Sequence, residues 1–200
     1  FAGPLPDDGD PMSGDRTVLA ELASRVAPIS LAETTDQAAL QTRIDKKYLL
    51  PISLLGHVLD DLGAGLRALE IDGLRVFGYE SVYFDTPRLQ FYRDHVQGRR
   101  LRHKVRTRRY VDSDLTMLEV KEKGGRGETV KHRTDWSPTE LFRLGSGGRM
   151  FIDDLLDGEP DAASLRPSLV SRYWRAPFVH ADAGLRLTSD VDLGYESRHT

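Results

Sequence analysis

The chain has 200 residues, 39% hydrophobic and 30% charged, a length that suits one domain with a real core and a soluble surface. It holds no cysteine, which excludes disulfides and thiolate metal sites and is compatible with the expected compartment, a reducing cytoplasm. The net charge of −3 argues against a general nucleic-acid-binding surface; no apolar run approaches the ~18 residues of a membrane span, and the first residues carry no secretory-signal pattern.

Residues 1–16, rich in Pro, Gly and Asp, read as a flexible lead-in, with residues 17–200 as the domain. Thr17–Val26 has helical spacing at Val18, Leu19, Leu22 and Val26, and Pro28 ends it. Gln41–Leu49 alternates as a strand, with Arg43, Asp45 and Lys47 on one face. Pro51–Leu62 reads as a helix opened by proline, with Leu54, Leu55, Val58, Leu59 and Leu62 as its apolar positions. Strands follow at Tyr79–Phe84, Arg99–Tyr110, Thr116–Lys123 and Thr129–Asp135, with turns at Val111–Asp114 and at the glycine-rich 124–127. Ser137–Leu144 is expected as a helix, Gly145–Gly148 as a flexible break and Met150–Leu156 as a second short helix. Ser171–Val179 and Leu185–Val191 are the last strands.

The strand at Arg99–Tyr110 carries an inverted face. Side chains alternate across a strand, so Arg100, Arg102, Lys104, Arg106 and Arg108 share one side, with Leu101, His103, Val105 and Thr107 on the other. Thr116–Lys123 groups Glu119, Lys121 and Lys123 opposite Leu118 and Val120; Thr129–Asp135 groups Lys131 and Arg133; Leu185–Val191 groups Arg186, Thr188 and Asp190. The ordinary source of such alternation is a half-exposed sheet. Solvated faces mix signs, however, and these faces are mostly cationic while the acids crowd elsewhere, in Pro6–Asp15 and Asp153–Asp161. Two like charges ~6 Å apart repel by roughly 3 kcal/mol at an effective dielectric near 20. A multiply charged anion is the natural counterpart, and phosphate chains fit lysine and arginine geometry. A sheet curling around such a face, with helices on its outer apolar side, makes a tunnel. The expected fold is therefore α+β: an antiparallel β-barrel tunnel with short helices packed outside.

Seven short motifs occur in order: R-x-D-K-K-Y at Arg43–Tyr48, Y-F-D-T at Tyr83–Thr86, K-V-R-T-R-R-Y at Lys104–Tyr110, L-E-V-K-E-K at Leu118–Lys123, K-H-R at Lys131–Arg133, S-R-Y-W-R at Ser171–Arg175 and L-R-L-T-S-D at Leu185–Asp190. With them the chain, from about Arg43 to Asp192, resembles the VTC-type polyphosphate polymerase domain of the triphosphate tunnel metalloenzyme, or CYTH-like, superfamily. The resemblance implies a basic tunnel that binds ATP or another triphosphate and a polyphosphate chain, with Mg²⁺ or Mn²⁺. It implies transfer of the nucleotide γ-phosphoryl group to polyphosphate. By motif position the phosphate-binding residues are Lys47, Arg106, Arg108, Lys121, Lys131, Arg175 and Arg186; same-face neighbours add Arg43, Lys104, Lys123 and Arg133. Lys47, Arg106 and Arg108 are the candidates closest to the reaction. Glu119 and Asp190 are the candidate metal ligands, with ion pairs to neighbouring arginines as the alternative, since one carboxylate makes a poor Mg²⁺ site without phosphate oxygens.

Two departures from the pattern count. VTC-type members continue into another L-E-x-K-like strand, absent here, so the tunnel wall is expected to be incomplete or the chain to be part of a longer protein. Asp45 stands where CYTH relatives have paired glutamates, which favours the VTC type. His103 and His132 fall on the outward faces and read as structural; Tyr83, Tyr92, Tyr110 and Tyr173 read as core or lumen wall, and Trp136 and Trp174 as packing. No Ser/His/Asp constellation and no GxxxxGK[ST] loop is present, which excludes a P-loop mechanism. A triphosphatase and a non-catalytic polyphosphate or inositol-phosphate sensor are the alternative functions. RNA binding is disfavoured, since few aromatics interleave with the cations. A membrane partner and the oligomeric state stay open.

Overall fold

The computed structural model describes residues 14–38, 46–113, 115–124 and 129–198. The chain divides into two compact units. Of the described residues, one takes in those from 79 to 172 and from 194 to 198, the other those from 14 to 78 and from 173 to 193. Among the described residues no helix is long and apolar enough to cross a membrane.

The first unit is built on β3 (Phe77–Asp85), β4 (Arg102–Tyr110), β5 (Thr116–Lys123) and β6 (Thr129–Asp135), joined in that order as antiparallel neighbours. Strand β7 (Arg166–His180) lies beside β3 and gives Arg166–Arg172 to this unit. Period-two alternation sends Val82, Phe84, Val105, Leu118 and Val120 to one face, where they form a buried core. Helix α4 (Gln90–Val96) brings Phe91 to that core, and α5 (Ser146–Leu156) brings Ile152 and Leu156. Burying each of these large side chains contributes about 1.5–3 kcal/mol. The register is thereby fixed, because a slip of one residue would put the cations of β4 into the core.

The Asp85 carboxylate, 5% exposed, joins β3 to α4. Its Oδ1 accepts the amides of Thr86 (2.7 Å) and Phe91 (3.0 Å), and its Oδ2 that of Tyr92 (3.0 Å). The amides of Phe91 and Tyr92 are first-turn donors that the helix itself leaves unsatisfied.

The second unit pairs β1 (Ala27–Ile29) parallel to β2 (Leu66–Leu69), and β2 antiparallel to β7. Strand β8 (Leu185–Ser197) also pairs with β7. Helix α1 (Gly14–Ser24) buries Leu19, Leu22 and Ala23, and α3 (Ile52–Leu62) buries Leu55 and Leu59, against Phe178 and Trp174. Gly63 ends α3 at φ 75°, a left-handed conformation that glycine adopts without steric cost. Arg75, held by Glu70 at 2.7 Å, donates to the carbonyls of Ala23 and Val26 at 2.9 and 2.6 Å and so closes the end of α1.

The α+β class and the antiparallel pairing are as expected, apart from the parallel β1–β2 pair. Several local expectations are corrected. Helix α1 starts at Gly14, inside the segment expected as a lead-in, and residues 1–13 fall outside the described residues. The strand expected over Gln41–Leu49 is not formed at residues 46–49, where Tyr48 and Leu49 lie exposed with no core face to join; 41–45 fall outside the described residues. The turn expected at 124–127 lies mostly outside them as well. Ser137–Leu144 makes one 3₁₀ turn, Pro138–Glu140, because the Leu141 carbonyl accepts from Thr107 Oγ1 at 2.5 Å instead of extending a helix. The expected break at Gly145–Gly148 holds the first turn of α5. A Cβ at Gly148 would lie 2.5 Å from the Trp136 ring, so glycine serves close packing there. Strands β1 and β2 and helices α2 (Leu31–Ala38) and α4 were not anticipated. Helix α2 opens with a capping box, in which the Glu33 carboxylate accepts from the Ser30 amide and hydroxyl at 3.0 and 2.5 Å.

Candidate functional site

The face of the β3–β6 sheet opposite the core is ordered in rows by the register. In one row Tyr83, Arg106, Glu119 and Arg133 stand side by side on successive strands. In the next, Lys104, Lys121 and Lys131 do so, followed by Arg102, Lys123 and Thr129. Three cations directly opposite one another are unusual, because like charges in that position destabilise a sheet.

Arg106 is held from both sides. Its Nε and Nη2 donate to Glu119 Oε2 at 2.7 and 2.6 Å, and its Nη1 to the Tyr83 hydroxyl at 3.2 Å. Lys131 Nζ reaches the other oxygen of Glu119, whose side chain is 2% exposed while that of Lys131 is 42% exposed. Arg108, buried, donates from Nε to Ser81 Oγ at 3.1 Å, with its guanidinium 5.3 Å from the Tyr79 ring centre. The result is a pre-set guanidinium beside a buried carboxylate that also holds Lys131.

The electrostatics follow from these contacts. Burial pushes the Glu119 carboxyl up, but Arg106 and Lys131 outweigh it and hold the group below the usual carboxylate range. Burial likewise raises Tyr83, and Arg106, with Arg108 and Lys104, brings it below the ordinary tyrosine range. Burial disfavours the charge on Arg106, yet Tyr83 and Glu119 overcome this and raise its pKa. On the opposite face burial lowers His103 against the pull of Glu122 and Asp94, and its ring packs edge-on against Phe91.

The expected site residues are thus partly gathered. Lys104, Arg106, Arg108, Glu119, Lys121, Lys123, Lys131 and Arg133 occupy the rows of this one face. Arg175 and Asp190 meet in the second unit, where Nε and Nη2 donate to Oδ1 and Oδ2 at 2.6 and 2.7 Å. Arg186 is exposed on β8 and Lys47 is exposed in an irregular segment; Arg43 lies outside the described residues.

Among the described residues no three His, Asp or Glu side chains converge. Both oxygens of Glu119 face cations, as do both oxygens of Asp190. As arranged, these carboxylates do not fit a divalent-cation site.

Tyr83, read from the sequence as core or lumen wall, stands on this face opposite Arg106; Ser81, opposite Arg108, and Tyr79, opposite Tyr110, complete it, and their shared parity with Tyr83 on β3 is the signal that could have found them. The clamp of Arg172 on Glu80 (2.8 Å) and Glu196 (3.2 Å) had no such signal, since it joins residues far apart in sequence.

A family model of the VTC domain matches residues 42–200. No curated protein sequence matches the chain. Among solved structures, the chain is similar to a Vibrio parahaemolyticus protein described as an adenylate cyclase candidate, at 10% identity and TM-score 0.43, covering 74% of this chain and 67% of that one. It is also similar to a Hippeastrum protein, an adenylyl cyclase candidate reported with a dominant triphosphatase activity, at 17% identity and TM-score 0.42, covering 58% and 60%. A third, a Pyrococcus horikoshii protein, matches at 13% identity and TM-score 0.36, covering 72% and 73%. By the family match, which takes in most of its length, the chain belongs to the VTC domain family.

Proposed function

We propose that the chain binds a nucleotide triphosphate and a polyphosphate chain along the cationic face of β4–β6 and transfers the γ-phosphoryl group of ATP to polyphosphate in a cytoplasmic setting. The observation that carries this reading is the row Lys104–Lys121–Lys131, three cations directly opposite one another on adjacent strands. A string of phosphates would turn their mutual repulsion into attraction.

The chemistry would be positioning and charge stabilisation, with no covalent nucleophile. Arg106, fixed by Glu119 and Tyr83, is pre-organised to meet charge on the transferring group. Lys131, the more exposed partner of Glu119, is free to swing toward a phosphate oxygen. Arg108, Lys123 and Arg133 extend the face, and Lys47, Arg175 and Arg186 are assigned by family resemblance to the same phosphate chain. Mg²⁺ or Mn²⁺ belongs to this reading as a companion of the phosphate oxygens.

The ion-paired state of Glu119 and Asp190 favours a second reading, a binding domain without turnover. Incubation of the purified protein with ATP and Mn²⁺, followed by dye-stained gels for polyphosphate and a phosphate assay, separates the cases. Chain growth establishes the polymerase, and phosphate release alone establishes a triphosphatase. Salt-sensitive polyphosphate binding without either product leaves the binding domain. Absence of binding would sink all three.

A further inference from the structure

A second group of arginines lies on the apolar side of the first unit's sheet. A cavity of about 370 Å³ is bounded there by the segment 140–145, by Arg149 of α5 and by the start of β7. Buried Phe84, Leu144 and Leu165 form its floor. Arg143, Arg149 and Arg166, all exposed, stand around it.

Unlike Arg106, Arg172 and Arg175, these three have no ion-pair partner among the described residues. Two of them are nevertheless fixed. Arg149 Nε donates to the Leu144 carbonyl at 3.0 Å, and Arg166 Nη1 to the carbonyls of Ala163 and Leu165 at 2.6 and 2.8 Å. Both guanidiniums keep other donors for a ligand, and Arg143 keeps all of its own. Among the described residues Glu140 is the one acid lining the cavity; a Cβ on Gly145 would lie 3.1 Å from its Oε1, so its carboxylate rests at the start of α5 and leaves the three arginines in excess.

We propose that this cavity is a second anion site, distinct from the β4–β6 face, for a compact phosphorylated ligand of the diphosphate class. The volume lies at the small end of ligand pockets, which suits a short anion. Guanidinium forks match phosphate oxygens two at a time, and the apolar floor strengthens each contact. A ligand with two or three negative charges would offset the repulsion among the arginines.

The test is calorimetric titration of the full chain with inorganic diphosphate. Arg143→Glu and the double variant Arg143→Ala/Arg149→Ala are compared with Lys104→Ala/Lys121→Ala, after thermal scans confirm that each folds. The wild type is expected to show two sites. The arginine variants should lose one of them, by at least tenfold in affinity, and keep the other. The lysine variant should do the reverse. If the arginine variants titrate like the wild type, or the wild type shows a single site that the lysine changes remove, the second site does not exist. If only the lysine variant behaves like the wild type, the cationic-face reading fails and the arginine site stands. Amide shifts of Arg143, Ser146 and Arg149 on adding diphosphate give an independent readout, and their absence would also overturn the assignment.

Discussion

Arg106 and Glu119 stand directly opposite each other on β4 and β5, with Nη2 2.6 Å from Oε2, and the glutamate side chain is only 2% exposed. Removing one member of such a pair leaves the other desolvated and unpaired. Glu119→Gln is therefore expected to destabilise the protein by about 3 kcal/mol in urea unfolding. Adding Arg106→Gln should recover at least 1 kcal/mol of that loss; strictly additive losses would mean the two side chains do not act together.

The same carboxylate predicts an acid limit. Its folded pKa lies below the unfolded value of about 4.3, so its contribution is complete above that value and is lost as pH falls through the lowered folded value. The gap in urea midpoint between wild type and Glu119→Gln should be constant from about pH 5 to 7 and shrink below about pH 4. A gap that widens on acidification would contradict the sign of the shift.

Lys121 gives opposite signs for stability and binding. It stands between Lys104 and Lys131, is exposed, and has no ion-pair partner among the described residues. Lys121→Ala should leave stability unchanged or raise it by a few tenths of a kcal/mol, while lowering polyphosphate affinity about tenfold, the order of one charge-assisted hydrogen bond. Parallel denaturation and binding titrations check this. Equal affinity for wild type and variant would remove Lys121 from the site.

Asp85→Ala should cost about 2 kcal/mol, the upper range for loss of a helix cap, because three amides lose their acceptor at a buried position. Hydrogen exchange at Phe91 and Tyr92 should speed up more than exchange in β4. Uniform acceleration across the unit would show instead that the cap is not a local tie.

These cases mark what was legible in the sequence. Alternation at Arg102–Arg108 and Thr116–Lys123 is visible because a strand's period is two, and β5 and β6 have the bounds read for them. Which cation Glu119 would choose was not visible, because that depends on register: Lys131 approaches it diagonally while Arg133 stands opposite. The strands β1 and β2 are three and four residues long, too short for a period to show. Helix α4 is held by Asp85, five residues before its start and just past the strand read at Tyr79–Phe84, so its main signal lay outside the helix itself. The glycines at 147–148 mislead for a different reason, since flexibility and close packing call for the same residue, and Trp136, twelve residues upstream of Gly148, decides between them. The capping box at Ser30–Glu33 was readable from its spacing alone.

Strand β6 pairs only with β5 among the described residues, and most of its side chains are exposed. An open strand edge is a template for another chain, and lysine or arginine along it is a common protection against fibrous assembly. Lys131 and Arg133 stand on such a strand as well as facing the proposed ligand. Neutralising both to weaken phosphate binding would be expected to make the protein self-associate, and an anion that coats them at low salt would lower its solubility in the same way.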